Sequence, residues 1–337
     1  MTRFLPLLLG GLLYGCSATQ PAERAGGTTP AANLATADWD SLTPQNTPTA
    51  RHEAAFTRVG DRAYLLGGRG VKPVDILDPA AMRWSQGPES PIEIHHFQPV
   101  VVGTEVYLLG AMTGGWPGED PLPNAYVYAT ETDTWRTGFE IPTERRRGGA
   151  GAVYHDGSLY LVCGIIDGHR GGHVAWLDRY DLATGEWTRL PDAPRARDHF
   201  QAVVHDGKIY AAGGRRTTAT PDMFTHTETR VDVYDIAAGT WSTLADTLPT
   251  PRAGNAAALI NGEIVLAGGE SVAHEVAHNE VEALDPRTGT WRALPPLSRG
   301  RHGTGLVQFG DSLYMAAGCG KRGGEPELDD LIATTIE

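Results

Sequence analysis

The chain has 337 residues, of which 41% are apolar and 20% charged, with a formal charge of -13. That balance is typical of a folded soluble body, and beyond residue 15 no stretch approaches the ~20 apolar residues that a membrane-spanning helix needs. The acidic excess argues against a nucleic-acid partner, because neutralising phosphates requires a net basic face, although a local basic pocket stays compatible with it.

The first sixteen residues, MTRFLPLLLGGLLYGC, place Arg3 before a Leu-rich run that ends in Leu13-Tyr14-Gly15-Cys16. This resembles the bacterial lipobox, in which the Cys is lipidated and the chain is cleaved just before it. The resemblance implies a signal peptide over residues 1–15, lipidation at Cys16 and membrane contact through that anchor only. Ser17 after the Cys resembles lipoproteins delivered to the outer membrane or cell surface. A plain secretion signal and a short buried helix are the alternatives. Residues 16–36 are rich in Ala, Thr, Pro and Gly and predict a flexible tether, since they hold too little apolar surface to fold.

From residue 37 onward the chain repeats. Tryptophans recur at Trp39, Trp84, Trp135, Trp187, Trp241 and Trp291, with gaps of 45, 51, 52, 54 and 50 residues. A self-similar unit of roughly 50 residues marks a fold in which each unit buries its apolar face against its neighbours. Second strands align as YLLGG (64–68), YLLGA (107–111), YLVCG (160–164), YAAGG (210–214), VLAGG (265–269) and YMAAG (314–318). Third strands follow as VDILD (74–78), YVYAT (126–130), LDRYD (177–181), VDVYD (231–235) and VEALD (281–285). Asp156-Gly157, Asp206-Gly207 and Asn261-Gly262 predict two-residue hairpins, whose central positions need positive φ. This order of double Gly, Tyr-Asp and Trp resembles the kelch repeat over nearly the whole chain after residue 37. The resemblance implies an all-β, six-bladed β-propeller. The last unit stops before its fourth strand, and Trp39 has the downstream context of the later tryptophans, so the N-terminal strand is expected to complete the last blade and close the ring.

In such a blade the loop from the second to the third strand and the connector into the first strand emerge on one face. The second-to-third loops are long and variable here, and loops on a rigid scaffold commonly carry function. Ten of the twelve histidines map to that face: His52, His95, His96, His199 and His302 at first-strand starts, and His169, His173, His226, His274 and His278 in loops. Five of the six first strands also open with Arg, at Arg51, Arg147, Arg197, Arg252 and Arg301, whereas Ile94 stands at that position in the second unit. Two readings follow. The arginines ring the channel mouth and grip carboxylate or sulfate groups, or each pairs with an acid such as Glu53, Glu144 or Asp198 and ties the blades together.

Glu270, His274 and His278 recur every four residues and would share a face if that segment were helical, giving a site for a divalent metal; a solvated polar loop is the alternative. The trio is similar to the E-x3-D-x3-H iron site of plant specifier proteins, with His274 where that family has Asp. His169 and His173, in a Gly-rich loop, suit either metal ligation or hydrogen bonds to sugar hydroxyls, and Trp116 suits stacking on a sugar face. Cys163 and Cys319 read as small core residues rather than a disulfide. A looser likeness to bacterial N-acetylneuraminate epimerases implies an Arg-rich pocket for an acidic sugar. The expectation is therefore a monomeric, envelope-anchored propeller that binds an anionic saccharide or an envelope protein on its Arg/His-rich face. The alternative is an enzyme at that face, a sugar epimerase or isomerase or a metal-dependent lyase.

Overall fold

The structure, a computed structural model, describes residues 1–2 and 34–337, so the lipidation expected at Cys16 lies outside the described residues. Within residues 34–337 the described strands form six four-stranded antiparallel sheets arranged as blades, and one two-stranded sheet, Met112–Thr113 with Asp120–Pro121, in the long loop of the second blade. The inner strands of blades one to six are Ala54–Val59, Gln98–Val102, Gly151–His155, Ala202–His205, Ala256–Ile260 and Val307–Phe309. Asp156, Asp206 and Asn261 and the Gly after each have positive φ, the conformation their hairpins require. The described residues contain helical structure only as single 3-10 turns, at Thr143–Arg145 and Gly168–Arg170.

The N-terminal strand Asp40–Leu42 pairs antiparallel with the last strand, Leu331–Thr335, placing Asp40 opposite Ala333 and Leu42 opposite Leu331. It is the fourth strand of the sixth blade, as the position of Trp39 predicts. Leu34 and Thr36 already pack on this unit. Leu34 is buried against the fifth and sixth blades and its amide donates to the Glu263 carboxylate at 2.7 Å, while Thr36 bridges to Ile336. An apolar side chain within the polar tract is what draws these residues onto the body.

Period-two alternation divides the core into clusters between neighbouring blades. Tyr64 and Leu66 face the second blade and pack with Val106 and Leu108, whereas Ala63 and Leu65 face the sixth and pack with Val307 and Leu331. Third-strand tyrosines pack tilted against fourth-strand tryptophans, with ring centroids 5.1 Å apart in Tyr128–Trp135 and 5.0 Å in Tyr180–Trp187. Trp187 and Trp241 also donate through Nε1 to carbonyls of the preceding blade, Glu140 at 2.9 Å and Pro191 at 2.8 Å.

Candidate functional site

Each first strand is introduced by a three-residue segment, and its three positions have different fates. These are Arg51-His52-Glu53, Ile94-His95-His96, Arg147-Gly148-Gly149, Arg197-Asp198-His199, Arg252-Ala253-Gly254 and Arg301-His302-Gly303.

The first position turns into its own blade. Arg51, Arg147, Arg197, Arg252 and Arg301 are fully buried. Each donates to carbonyl oxygens of its second strand or the residue just after it, and pairs with an acid in or directly before the third strand: Asp75, Asp178, Asp232, Glu282 and Asp330 respectively. The arginine ring at the channel mouth is therefore not formed. Ion pairing within blades replaces it, with third-strand acids rather than Glu53, Glu144 or Asp198, because a guanidinium with several donors is satisfied by the carbonyls and carboxylate beside it. Blade two changes all the parts together. Ile94 replaces the Arg, Tyr126 stands opposite Leu108 where the first blade sets Asp75 opposite Leu65, and Ala111 replaces the second Gly of the pair. That Gly has a steric purpose: at Gly269, φ +125°, an added Cβ would lie 3.0 Å from the Arg252 side chain.

The third position is left-handed in all six blades, with φ of 52° at Glu53, 53° at His96 and His199, 57° at Gly149, 64° at Gly254 and 67° at Gly303. Backbone hydrogen bonds link these residues around the axis. His96 N donates to Glu53 O, Gly149 N to His96 O, His199 N to Gly149 O, Gly254 N to His199 O, Gly303 N to Gly254 O and Ala54 N to Gly303 O, at 2.6–3.1 Å. Three blades use Gly, which adopts this conformation freely. The other three carry side chains there at an energetic cost of order 1–3 kcal/mol each, and Glu53, His96 and His199 all line the axial cavity.

The long loop of the third blade lays His169, from the turn Gly168–Arg170, against His96 and His199. The three ring centroids form a triangle with sides of 5.1, 4.9 and 5.0 Å. Each Nδ1 is occupied: His169 faces the Glu119 carboxylate at 2.9 Å, His199 faces Asp198 at 2.6 Å, and His96 faces His95 Nδ1 at 2.6 Å. Glu119 is gripped in turn by Arg69, and Asp198 accepts from the Thr217 amide at 2.9 Å. Burial lowers the His96 and His169 pKa values, and lowers that of His95 to about 4. Burial alone would raise Glu119, but hydrogen bonds from His169 and Arg69 hold it well below the usual carboxylate range.

A second group lies beside the triangle. Burial disfavours the charged form of His302, yet the Glu270 and Glu53 carboxylates, at 3.5 and 3.7 Å, overcome it and raise its pKa to about 10. Glu270 also pairs with buried Arg215 and accepts from the Gly323 amide at 2.8 Å; burial would raise its pKa, but His302 and Arg215 bring it to about 2. Both groups open onto a cavity of about 520 Å³ on the long-loop face, walled by Arg69, His169, Arg215 and Glu270 and, on its apolar side, by Trp116 and Phe224.

The remaining expected residues fall outside this convergence. His173 lies in the third strand of blade three, paired with Ile165. The segment holding Glu270, His274 and His278 is irregular rather than helical, so the spacing of four does not bring the trio together. Glu270 turns into the cavity, while His278 is held by Ser271 at 2.8 Å and Glu280 at 2.9 Å beside exposed His274. Cys163 and Cys319 are both buried and free, and burial pushes the Cys163 thiol up to about 11. Sequence reasoning missed Glu119, in a loop without repeat signal, and Arg69 and Arg215, although both stand directly after a double Gly, the repeat position that Glu270 also holds. It also missed Glu53 as a cavity residue, although a non-Gly residue where other repeats have Gly was a readable sign.

Comparison with known proteins agrees with this architecture. The description of the KLHDC2/KLHL20/DRC7 Kelch-repeats domain matches residues 95–320. The chain is 27% identical over 289 residues to Kelch-like protein terF of Aspergillus terreus, covering 80% of this chain and 61% of that protein. It is 25% identical over 276 residues to human Kelch-like protein 23, covering 79% of this chain and 45% of that one. The solved structure of YjhT superposes with a TM-score of 0.71 at 16% identity, over 87% of this chain and 99% of that one, which is a likeness of fold. With a matched domain spanning most of its repeats, and with double-Gly strands, paired Tyr and Trp rings and a ring closed by its N-terminal strand, this chain belongs to the kelch-repeat domain family.

Proposed function

We propose that the protein is an envelope-anchored kelch propeller that binds a small saccharide in the cavity of its long-loop face. The coarser statement, a kelch propeller serving as a binding scaffold, rests on the family itself. One observation carries the finer reading: the cavity of about 520 Å³ has hydrogen-bonding groups on one side and the exposed indole of Trp116 with Phe224 on the other. Its size lies in the range of ordinary small-ligand sites, and an indole matches the apolar face of a sugar ring while the polar side matches its hydroxyls.

An acidic sugar would meet Arg69 and Arg215 rather than the five buried arginines. Both are already paired, with Glu119 and Glu270, so a carboxylate on the ligand would compete with a carboxylate of the protein. A neutral saccharide is thus favoured over an anionic one. Glu53, Glu270 and His302 also supply the acid and base groups that a sugar epimerase or isomerase would use. Titration of the full chain with neutral and acidic mono- and disaccharides, followed by calorimetry, tests the reading. Trp116→Ala is expected to weaken binding about tenfold through lost stacking, and equal binding by this variant would sink the saccharide assignment. Anchoring rests on the lipobox at Cys16: Cys16→Ala is expected to move the protein from the membrane to the soluble fraction, and an unchanged distribution would exclude it.

A second reading, a protein partner on the same face, is favoured by the exposed apolar side chains Ile166, Val272 and Val276 in the surrounding loops. Ile166→Asp and Val276→Asp would abolish capture of an envelope protein without altering saccharide titrations.

A further inference from the structure

His96, His169 and His199 come from three different segments, yet their free ring nitrogens meet at one buried point. The candidate ligand atoms of the three all lie within 4.8 Å of one another. Hydrogen-bond bookkeeping determines what each presents there. His95 Nε2 lies 3.1 Å from the Gly114 carbonyl oxygen, which only accepts, so Nε2 carries the proton and His95 Nδ1 carries a lone pair. That lone pair faces His96 Nδ1 at 2.6 Å, so His96 is protonated at Nδ1 and offers a lone pair at Nε2. Glu119 and Asp198 accept from Nδ1 of His169 and His199 in the same way, leaving lone pairs on both Nε2 atoms.

Three acceptors therefore converge without a donor among them. His199 Nε2 is buried and has no hydrogen-bond partner among the described residues, in a side chain only 1% exposed. A buried acceptor left unmatched is costly, and three together repel, unless a cation lies between them. Left-handed backbone at His96 and His199 is a further expense that Gly would avoid.

We propose that His96, His169 and His199 form a three-histidine site for a divalent first-row transition ion, whose open coordination side faces the long-loop cavity that His96 and His169 line. The donor set is the one that zinc sites with a vacant position use: three neutral imidazoles, two of them oriented by carboxylates behind the ring. Glu53, with Oε2 at 3.6 Å from His96 Nε2, is the nearest anionic group on the cavity side. The ion would give the cavity a Lewis acid for vicinal hydroxyls or a carbonyl of its ligand. In this respect the proposal rests on the saccharide reading, although the metal site stands on its own residues.

The test uses the full chain, stripped with EDTA, dialysed and titrated with Zn²⁺ by calorimetry, with Co²⁺ as a spectroscopic probe. One equivalent is expected to bind, and Co²⁺ is expected to give the visible absorption of a low-coordinate nitrogen site. His199→Gln and His169→Gln should each weaken Zn²⁺ binding by roughly 100-fold or more, and Asp198→Asn by roughly 10- to 100-fold. His226→Ala, at an exposed histidine outside the three-histidine cluster, should leave the affinity of this site unchanged. His169 sits on a loop outside the backbone belt, so its variant reports on the site even if changes at His199 impair folding. Absence of stoichiometric uptake by folded wild-type protein would overturn the proposal, as would wild-type affinity in His169→Gln. Saccharide binding without metal uptake would sink the metal site alone; metal uptake without saccharide binding would sink the saccharide reading alone.

Discussion

Arg252 illustrates how a buried charge is accommodated one residue at a time. Its guanidinium donates to Gly268 O at 2.7 Å, Thr250 O at 2.7 Å and Leu266 O at 3.1 Å, and pairs with Glu282. Truncating one member of such a pair leaves the other charge buried without its match, so Arg252→Ile is expected to lose about 3–5 kcal/mol in urea unfolding. Blade two supplies the compensated form. Adding Glu282→Tyr to Arg252→Ile should recover part of that loss by removing the unmatched carboxylate, and a double variant less stable than the single one would refute the compensation. His302 gives a pH signature. Its folded pKa of about 10 lies above its ordinary value of 6.5, so its pairing with Glu270 contributes fully below pH 6.5 and is lost as pH rises towards 10. Wild-type stability should therefore fall over that interval by more than that of His302→Gln, as read from melting temperatures across pH. At this scale the sequence announced the arginines and histidines but not their directions. Arg197 and His199 are two residues apart and look equally suited to a ligand, yet the first turns into its blade and the second into the axis.

At the scale of elements, the decisive object is the belt of left-handed residues that starts the six inner strands. Two glutamines reinforce it. Gln98 accepts from the Ala152 and Ala202 amides, both at 2.8 Å, and donates to Ala202 O at 2.7 Å, while Gln201 accepts from the Ala257 amide and donates to Thr304 O. Each satisfies edge groups of inner strands that have no further strand to pair with. Gln98→Ala is expected to cost about 1–3 kcal/mol by leaving those amides unmatched, with faster amide hydrogen exchange at Ala152 and Ala202 as the local readout. Unchanged exchange there would refute the clasp. The sequence displayed the glutamines in the paired runs His96-Phe97-Gln98 and His199-Phe200-Gln201, but nothing in the runs told that they reach across the channel to other blades.

For the whole molecule, stability depends on closing the ring. Trp39 is 4% exposed and packs between the fifth and sixth blades with Leu34, Leu297 and Ile332. Trp39→Ala should cost about 3–5 kcal/mol, and deleting residues 34–42 should open the edge of the last strand and promote self-association, seen as an earlier-eluting species in size-exclusion chromatography. A deletion that stays monomeric with an unchanged melting temperature would contradict closure by this strand. The sequence by itself determined the repeat, the blade count, the strand that closes the ring and the face on which histidines collect, because all of these follow from periodicity and turn chemistry, which are local. Only the tertiary structure decided that five arginines are internal, that Glu270 parts from His274 and His278, and that His96, His169 and His199 meet. Those outcomes depend on side-chain direction at a left-handed residue and on how irregular loops fold over the axis, and neither leaves a period in the chain.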